Sequence, residues 1–106
     1  MKNTGRSKQI TKKAIQSVLA ELGNSPNKIA ASLKAKHVRG GQDDPRDCAL
    51  AVYLGRKFKG CFVTVGDKHA SIVTASDDVV EYPLTKAQSA FIELFDGGKF
   101  PGLVRV

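Results

Sequence analysis

The chain has no tryptophan, one methionine and two cysteines. It also has no apolar run of the roughly 18 residues that a membrane span needs. Each shortage removes a class of protein. Cys48 and Cys61 form no Cys-x-x-Cys pair, so a zinc or redox motif of that kind is absent. Aromatic residues make up 7% of the chain. That leaves few rings on which single-stranded bases would stack, and a stacking platform is not expected. No Gly-Lys-Ser or Gly-Lys-Thr follows Gly40-Gly41, so no phosphate loop is expected either. The basic N-terminus has no apolar segment behind it, unlike a secretory signal. The expectation is a cytoplasmic protein with reduced thiols and no membrane partner.

What is present is charge, unevenly placed. The 106 residues carry a formal net charge of +7. Residues 1–59 hold 13 Lys+Arg against 4 Asp+Glu, a balance of +9, and residues 60–106 hold 4 against 6, a balance of −2. Such a division favours an acidic partner, either nucleic acid or an acidic protein surface. Apolar residues at 42% and charged residues at 25% are ordinary for a folded protein. The length fits one domain.

The hydrophobic period divides the chain. Residues 1–10 are polar and basic and read as a flexible arm. From Thr11, a plausible N-cap, Ile15, Val18, Leu19 and Leu22 fall on one helical face, and Gly23 stops the helix. Ser25-Pro26 starts a second helix, with Ile29 and Leu33 inward. Residues 37–43 read as a mobile cationic linker. Asp44-Pro45 starts a third helix that is apolar all round from Cys48 to Leu54 and is therefore expected to be buried. Arg56 and Lys57 fall at its electronegative end.

The period then shortens to two. Residues 61–65, 69–75 and 79–82 read as strands joined by short turns, an antiparallel meander. Pro83 belongs at a strand end or edge. Thr85 and Gln88 form a capping box before the apolar stripe Ala87, Ala90, Phe91, Leu94 and Phe95. The apolar tail 100–106 suits a short extra strand. The order is three helices, three strands and a C-terminal helix packed on the sheet, an α+β domain over residues 11–106. Its expected core is Ile15, Leu19, Leu22, Ile29, Leu33, Leu50, Leu54, Val63, Ile72, Phe91, Leu94 and Phe95.

Two functional readings follow. The first is a non-enzymatic binding protein that meets its acidic partner through Lys2, Arg6, Lys8, Lys12, Lys13, Lys28, Lys34, Lys36 and Arg39. No metal or other cofactor is expected, since His37, Cys48, Cys61 and His69 form no close ligand pairs. The element order resembles winged-helix DNA-binding domains, with residues 18–38 as the helix–turn–helix entry. That resemblance implies a third helix that reads the major groove, yet residues 48–54 offer only Tyr53 as a polar side chain.

The second reading is a cysteine hydrolase. Asp47-Cys48 at a helix start, then His69-Ala70-Ser71-Ile72-Val73 on a strand, resembles the NlpC/P60 group of papain-like peptidases and amidases. The resemblance implies Cys48 as nucleophile and His69 as its base, with Asp78 or Glu81 orienting the imidazole. Ala49-Leu50 stands where that group has Ser-Gly. A broader resemblance lies in Cys48-Ala49-Leu50-Ala51-Val52-Tyr53-Leu54 together with Phe95-Asp96-Gly97-Gly98-Lys99-Phe100-Pro101. These runs are similar to small uncharacterised proteins of actinobacteria and their phages, which show Cys-Pro-Leu-Ala-x-Tyr-Leu. The likeness implies an accessory protein of a phage or mobile element that acts by binding.

Overall fold

A computed structural model describes residues 10–104. The arm, with Lys2, Arg6 and Lys8, lies outside the described residues except for Ile10. Four helices and one three-stranded sheet surround a connected core.

Helix α1 (Lys12–Ala20) begins at Thr11, whose Oγ1 accepts from Ala14 N at 3.0 Å. Its inner face is Ile15 and Leu19, and Gly23 turns the chain at φ 121. Helix α2 (Pro26–Ala35) starts on Ser25 with proline in its first turn. It ends in a Schellman arrangement: Val38 N donates to Leu33 O and His37 N to Lys34 O. His37 takes the left-handed position at φ 59, and Val38 is buried behind it. The following linker is fastened, contrary to the mobile segment expected. Gly40 N donates to Leu103 O at 2.9 Å, and Gly41 N donates to Asp47 O at 2.7 Å.

Helix α3 (Ala49–Lys57) starts one turn later than the Asp44-Pro45 signal predicts. The cause is competition for carbonyls. Pro45 O, which a longer helix would give to Ala49, accepts Val65 N from the sheet at 2.7 Å. Asp44 O instead takes the N–H groups of Asp47 and Cys48 in a tight turn. Once begun, α3 buries Ala49, Leu50, Ala51, Tyr53 and Leu54, as its uninterrupted apolar sequence requires.

The sheet consists of β1 (Phe62–Val65), β2 (His69–Val73) and β3 (Val79–Pro83), in that order and antiparallel throughout. Pro83 closes an edge strand, where its missing N–H costs no ladder bond. Alternation puts Val63, Val65, Ala70, Ile72 and Tyr82 inward. Helices α1 and α3 cover this inner face by packing on β3 and β1. The outer face carries Phe62, Thr64, His69, Ser71, Val73, Val79 and Glu81.

Helix α4 (Lys86–Asp96) has the full capping box: Gln88 N donates to Thr85 Oγ1 and Thr85 N to Gln88 Oε1. It meets the β1–β2 turn through Ser89 Oγ, which donates to Asp67 O at 2.6 Å, and packs most broadly on α2. Phe91 and Phe95 are fully buried, while Leu94 is only half-buried and Ile92 takes the place expected for it. The tail forms a 3-10 turn (Pro101–Leu103) and one parallel bridge, Val104 to Gly40, in place of a strand.

Phe91 stacks on Phe95 and on Phe100 with ring centroids 5.8 and 5.3 Å apart. Phe91→Ala is expected to cost about 3–5 kcal/mol in urea unfolding. A Cβ on Gly40 would collide with the backbone of Asp47, Cys48 and Ala49. Gly40→Ala should therefore lose about 1–3 kcal/mol in the same measurement, although alanine usually replaces an exposed glycine without loss.

Candidate functional site

Cys48 is the N-cap of α3 and is 2% exposed. Burial pushes its thiol up to about 11. The backbone N–H groups of Ala51 and Leu50 act in the opposite direction, and the Asp96 and Asp44 carboxylates raise it further. An activated nucleophile needs the reverse, a stabilised thiolate open to substrate. His69 stands exposed at the first residue of β2, opposite Pro83. It is not among the groups that perturb Cys48.

The third member expected of a hydrolase is displaced as well. Asp78 precedes β3, five residues from Pro83, or about 16 Å at 3.3 Å per residue. Its groups are engaged within its own turn: its N–H donates to Thr74 Oγ1 at 3.1 Å, and its carboxylate accepts from Ser76 Oγ at 3.4 Å. Glu81 is exposed on the outer face, opposite Ser71. Among the described residues, no group of three or more His, Cys, Asp or Glu is placed to hold a metal ion. Also among them, no helix is long and apolar enough to cross a membrane.

The winged-helix geometry fails on the same helix. Apart from Arg56 and Lys57 at its C-terminal end, the third helix is buried or half-buried, so it offers no exposed face of side chains to a DNA groove. The β1–β2 turn Gly66-Asp67-Lys68, where a wing would project, is tied down, with Asp67 O held by Ser89 and Lys68 O accepting Leu84 N.

A different place combines charge with space. A groove of about 1190 Å³ runs between the C-terminal end of α3 and the β2–β3 turn. Arg56, Lys57 and Lys59 line one side and Thr74, Ser76 and Asp78 the other, with Ile10, Ala14 and Val80 between them. Arg56 donates from Nη1 to Lys36 O and from Nη2 to His37 O, both at 3.4 Å. Its guanidinium thus closes the electronegative end of α2. Lys57 Nζ lies 5.7 Å from the centre of the Tyr53 ring. Tyr53 OH donates to Glu21 Oε1, and burial, followed by Glu21, raises its ionisation point. Cys61, the second thiol, is half-buried in the groove wall.

None of the expected cations among the described residues lines this groove. Lys12 and Lys13 are exposed on α1, whose Ala14 lines it. Lys34 and Lys36 are exposed in the last residues of α2 and its C-cap, at the end that Arg56 touches. Lys28 lies at the other end of α2, beside Gly23, and Arg39 is exposed in the linker. Arg56, Lys57 and Lys59 are not among the cations expected to bind, since the first two are read as complementing the electronegative end of the third helix. The run Arg56-Lys57-Phe58-Lys59 was the available signal.

Phe62 is 56% exposed on the outer face of the sheet, with the Arg46 guanidinium 5.8 Å from its ring centre. Period-two alternation against buried Val63 and Val65 is what turns it outward. No family model, curated protein or solved structure matches the chain.

The folded chain holds the Cys48 proton more tightly than an unfolded chain would. The resulting stability is complete below the ordinary value of 9.0 and is lost as pH rises toward about 11. Thermal unfolding across that range is expected to fall more steeply for the native sequence than for Cys48→Ala. Native iodoacetamide treatment at neutral pH should modify Cys61 and spare Cys48, as read by peptide mass.

Proposed function

We propose that this protein is a non-enzymatic nucleic-acid-binding protein that holds the phosphate backbone in the groove at the end of α3. The observation that carries this reading is the placing of Arg56, Lys57 and Lys59 along one cavity, faced by the hydroxyls of Thr74 and Ser76. Phosphate oxygens accept from such cationic donors. A concave site in which three cations outnumber one carboxylate also draws in polyanions. Lys12, Lys13, Lys34 and Lys36 extend the positive surface along α1 and α2. Asp78 is the one carboxylate among the lining residues, and its engagement with Ser76 moderates its repulsion of an anion. A role as a binding accessory protein is also what the likeness to small actinobacterial and phage proteins implies. The burial of Cys48, with His69 exposed elsewhere on the sheet, favours binding over the hydrolase alternative.

Titration of labelled 20-residue oligonucleotides with the full chain tests this. Affinity is expected to fall linearly on a log–log plot against salt. The double variant Lys57→Gln, Lys59→Gln should reduce the slope by about 1.4 on single strands or about 1.8 on duplex. Lys99→Gln, an exposed lysine that does not line the groove, should leave affinity unchanged. Absence of salt-dependent binding to either form at low salt would refute the proposal.

A further inference from the structure

We infer that Phe58 is a base-stacking site inside the cationic groove, so that the strand held there is unpaired at that point; this rests on the nucleic-acid reading above and names the form of nucleic acid bound. Phe58 lines the groove in the middle of the cationic run, between Lys57 and Lys59. It is half-buried: part of the side chain packs against the core, and the rest borders the groove.

The other aromatic rings are already committed. Phe91 stacks on Phe95 and on Phe100. Phe62 lies under the Arg46 guanidinium and Tyr53 beside Lys57 Nζ, while Tyr82 is buried. Among the described residues, Phe58 has neither a ring nor a cation as a partner. Its backbone is nonetheless fixed. As the C-cap of α3 it donates its N–H to Leu54 O at 2.8 Å, and its carbonyl accepts from Cys61 N at 3.3 Å. Gly60, at φ 84, permits that turn. A ring held in this way loses little freedom when a ligand covers it.

The cations and the ring fall within reach of one nucleotide. Lys57 and Lys59 are the chain neighbours of Phe58, each about 3.8 Å away at Cα, and all three side chains border the same cavity. Ile10, Ala14 and Val80 add apolar surface to its lining. A ligand that fills this groove is anionic along one part and flat or apolar along another. A nucleotide has that division, with phosphate at one end and the π face of a base at the other.

A duplex satisfies only the lysines. Its base faces are covered by its own stack, and exposing one costs unstacking and unpairing that a single strand does not pay. An acidic peptide likewise uses the lysines alone, because the negative face of an aromatic ring repels carboxylates.

The test uses the full chain and four labelled probes at one salt concentration: a mixed-sequence 20-residue single strand, its duplex, a 20-residue strand without bases, and an oligoglutamate peptide. The mixed-sequence single strand is expected to bind most tightly. Phe58→Leu keeps an apolar side chain against the core but removes the ring, and urea unfolding checks that it is folded. It should weaken the single strand by roughly 5-fold or more. The salt slope should stay unchanged, since no phosphate contact is lost, and so should affinity for the base-free strand. Because the chain has no tryptophan, Phe58→Trp creates a single indole reporter. It should retain binding, with fluorescence quenched by the single strand and not by the base-free strand.

Three results would each overturn the inference: duplex or base-free strand bound as tightly as the single strand, unaltered single-strand affinity in folded Phe58→Leu, or no quenching in Phe58→Trp. If Lys57→Gln, Lys59→Gln still lowers the salt slope in that case, the groove reading stands alone. Preferential binding of oligoglutamate, or no salt-dependent binding of any oligonucleotide, would overturn both readings.

Discussion

The backbone of Gly40 lies against the backbone of Asp47, Cys48 and Ala49, with no space for a side chain between them. On its other side, its N–H is bonded to Leu103, and it bridges to Val104. This crossing joins three distant parts of the chain: the linker after α2, the turn before α3, and the C-terminal segment. The turn before α3 is in turn bonded to β1 through Pro45 and Val65. The position of α3 thus depends on backbone hydrogen bonds from residues far away in sequence. These bonds compete with the helix for its own first carbonyls.

The two ends of α3 consequently have different chemistry. Its N-terminal end is packed under the Gly40 crossing, which is why Cys48 fills space and keeps its proton. Its C-terminal end emerges at the surface with Arg56 and Lys57. Cations there complement the electronegative end of the macrodipole, so residues useful to the helix are also available to a ligand. Arg56 extends the same effect to α2 by reaching the carbonyls at its end. The positive wall of the groove is therefore compatible with helix stability, whereas clustered cations elsewhere would only repel one another.

The outer face of the sheet follows from layer count. Helices α1 and α3 cover one face, and α2 and α4 pack on each other, which leaves the other face to solvent. Strand alternation then presents every second residue outward, apolar or not. Most are polar or charged, but Phe62 and Val79 are not, and the antiparallel register aligns them through Val73.

Local signals determined much of this protein from sequence alone. Thr11, Ser25 and the Thr85–Gln88 box stop or start helices by bonds spanning three residues, and the two hydrophobic periods assign faces without knowledge of partners. The α+β order was legible for that reason, and eleven of the twelve core residues expected from sequence are buried. What only the tertiary structure decided involves residues far apart in the chain. The late start of α3 reflects a carbonyl taken by Val65, and the burial of Cys48 reflects a glycine eight residues earlier. Likewise, Arg56, Lys57 and Lys59 become one wall of a groove only because the β2–β3 turn, about twenty residues further on, supplies the other. Spacing along a chain does not encode such contacts, because they form when separate elements compete for the same hydrogen bonds and the same space.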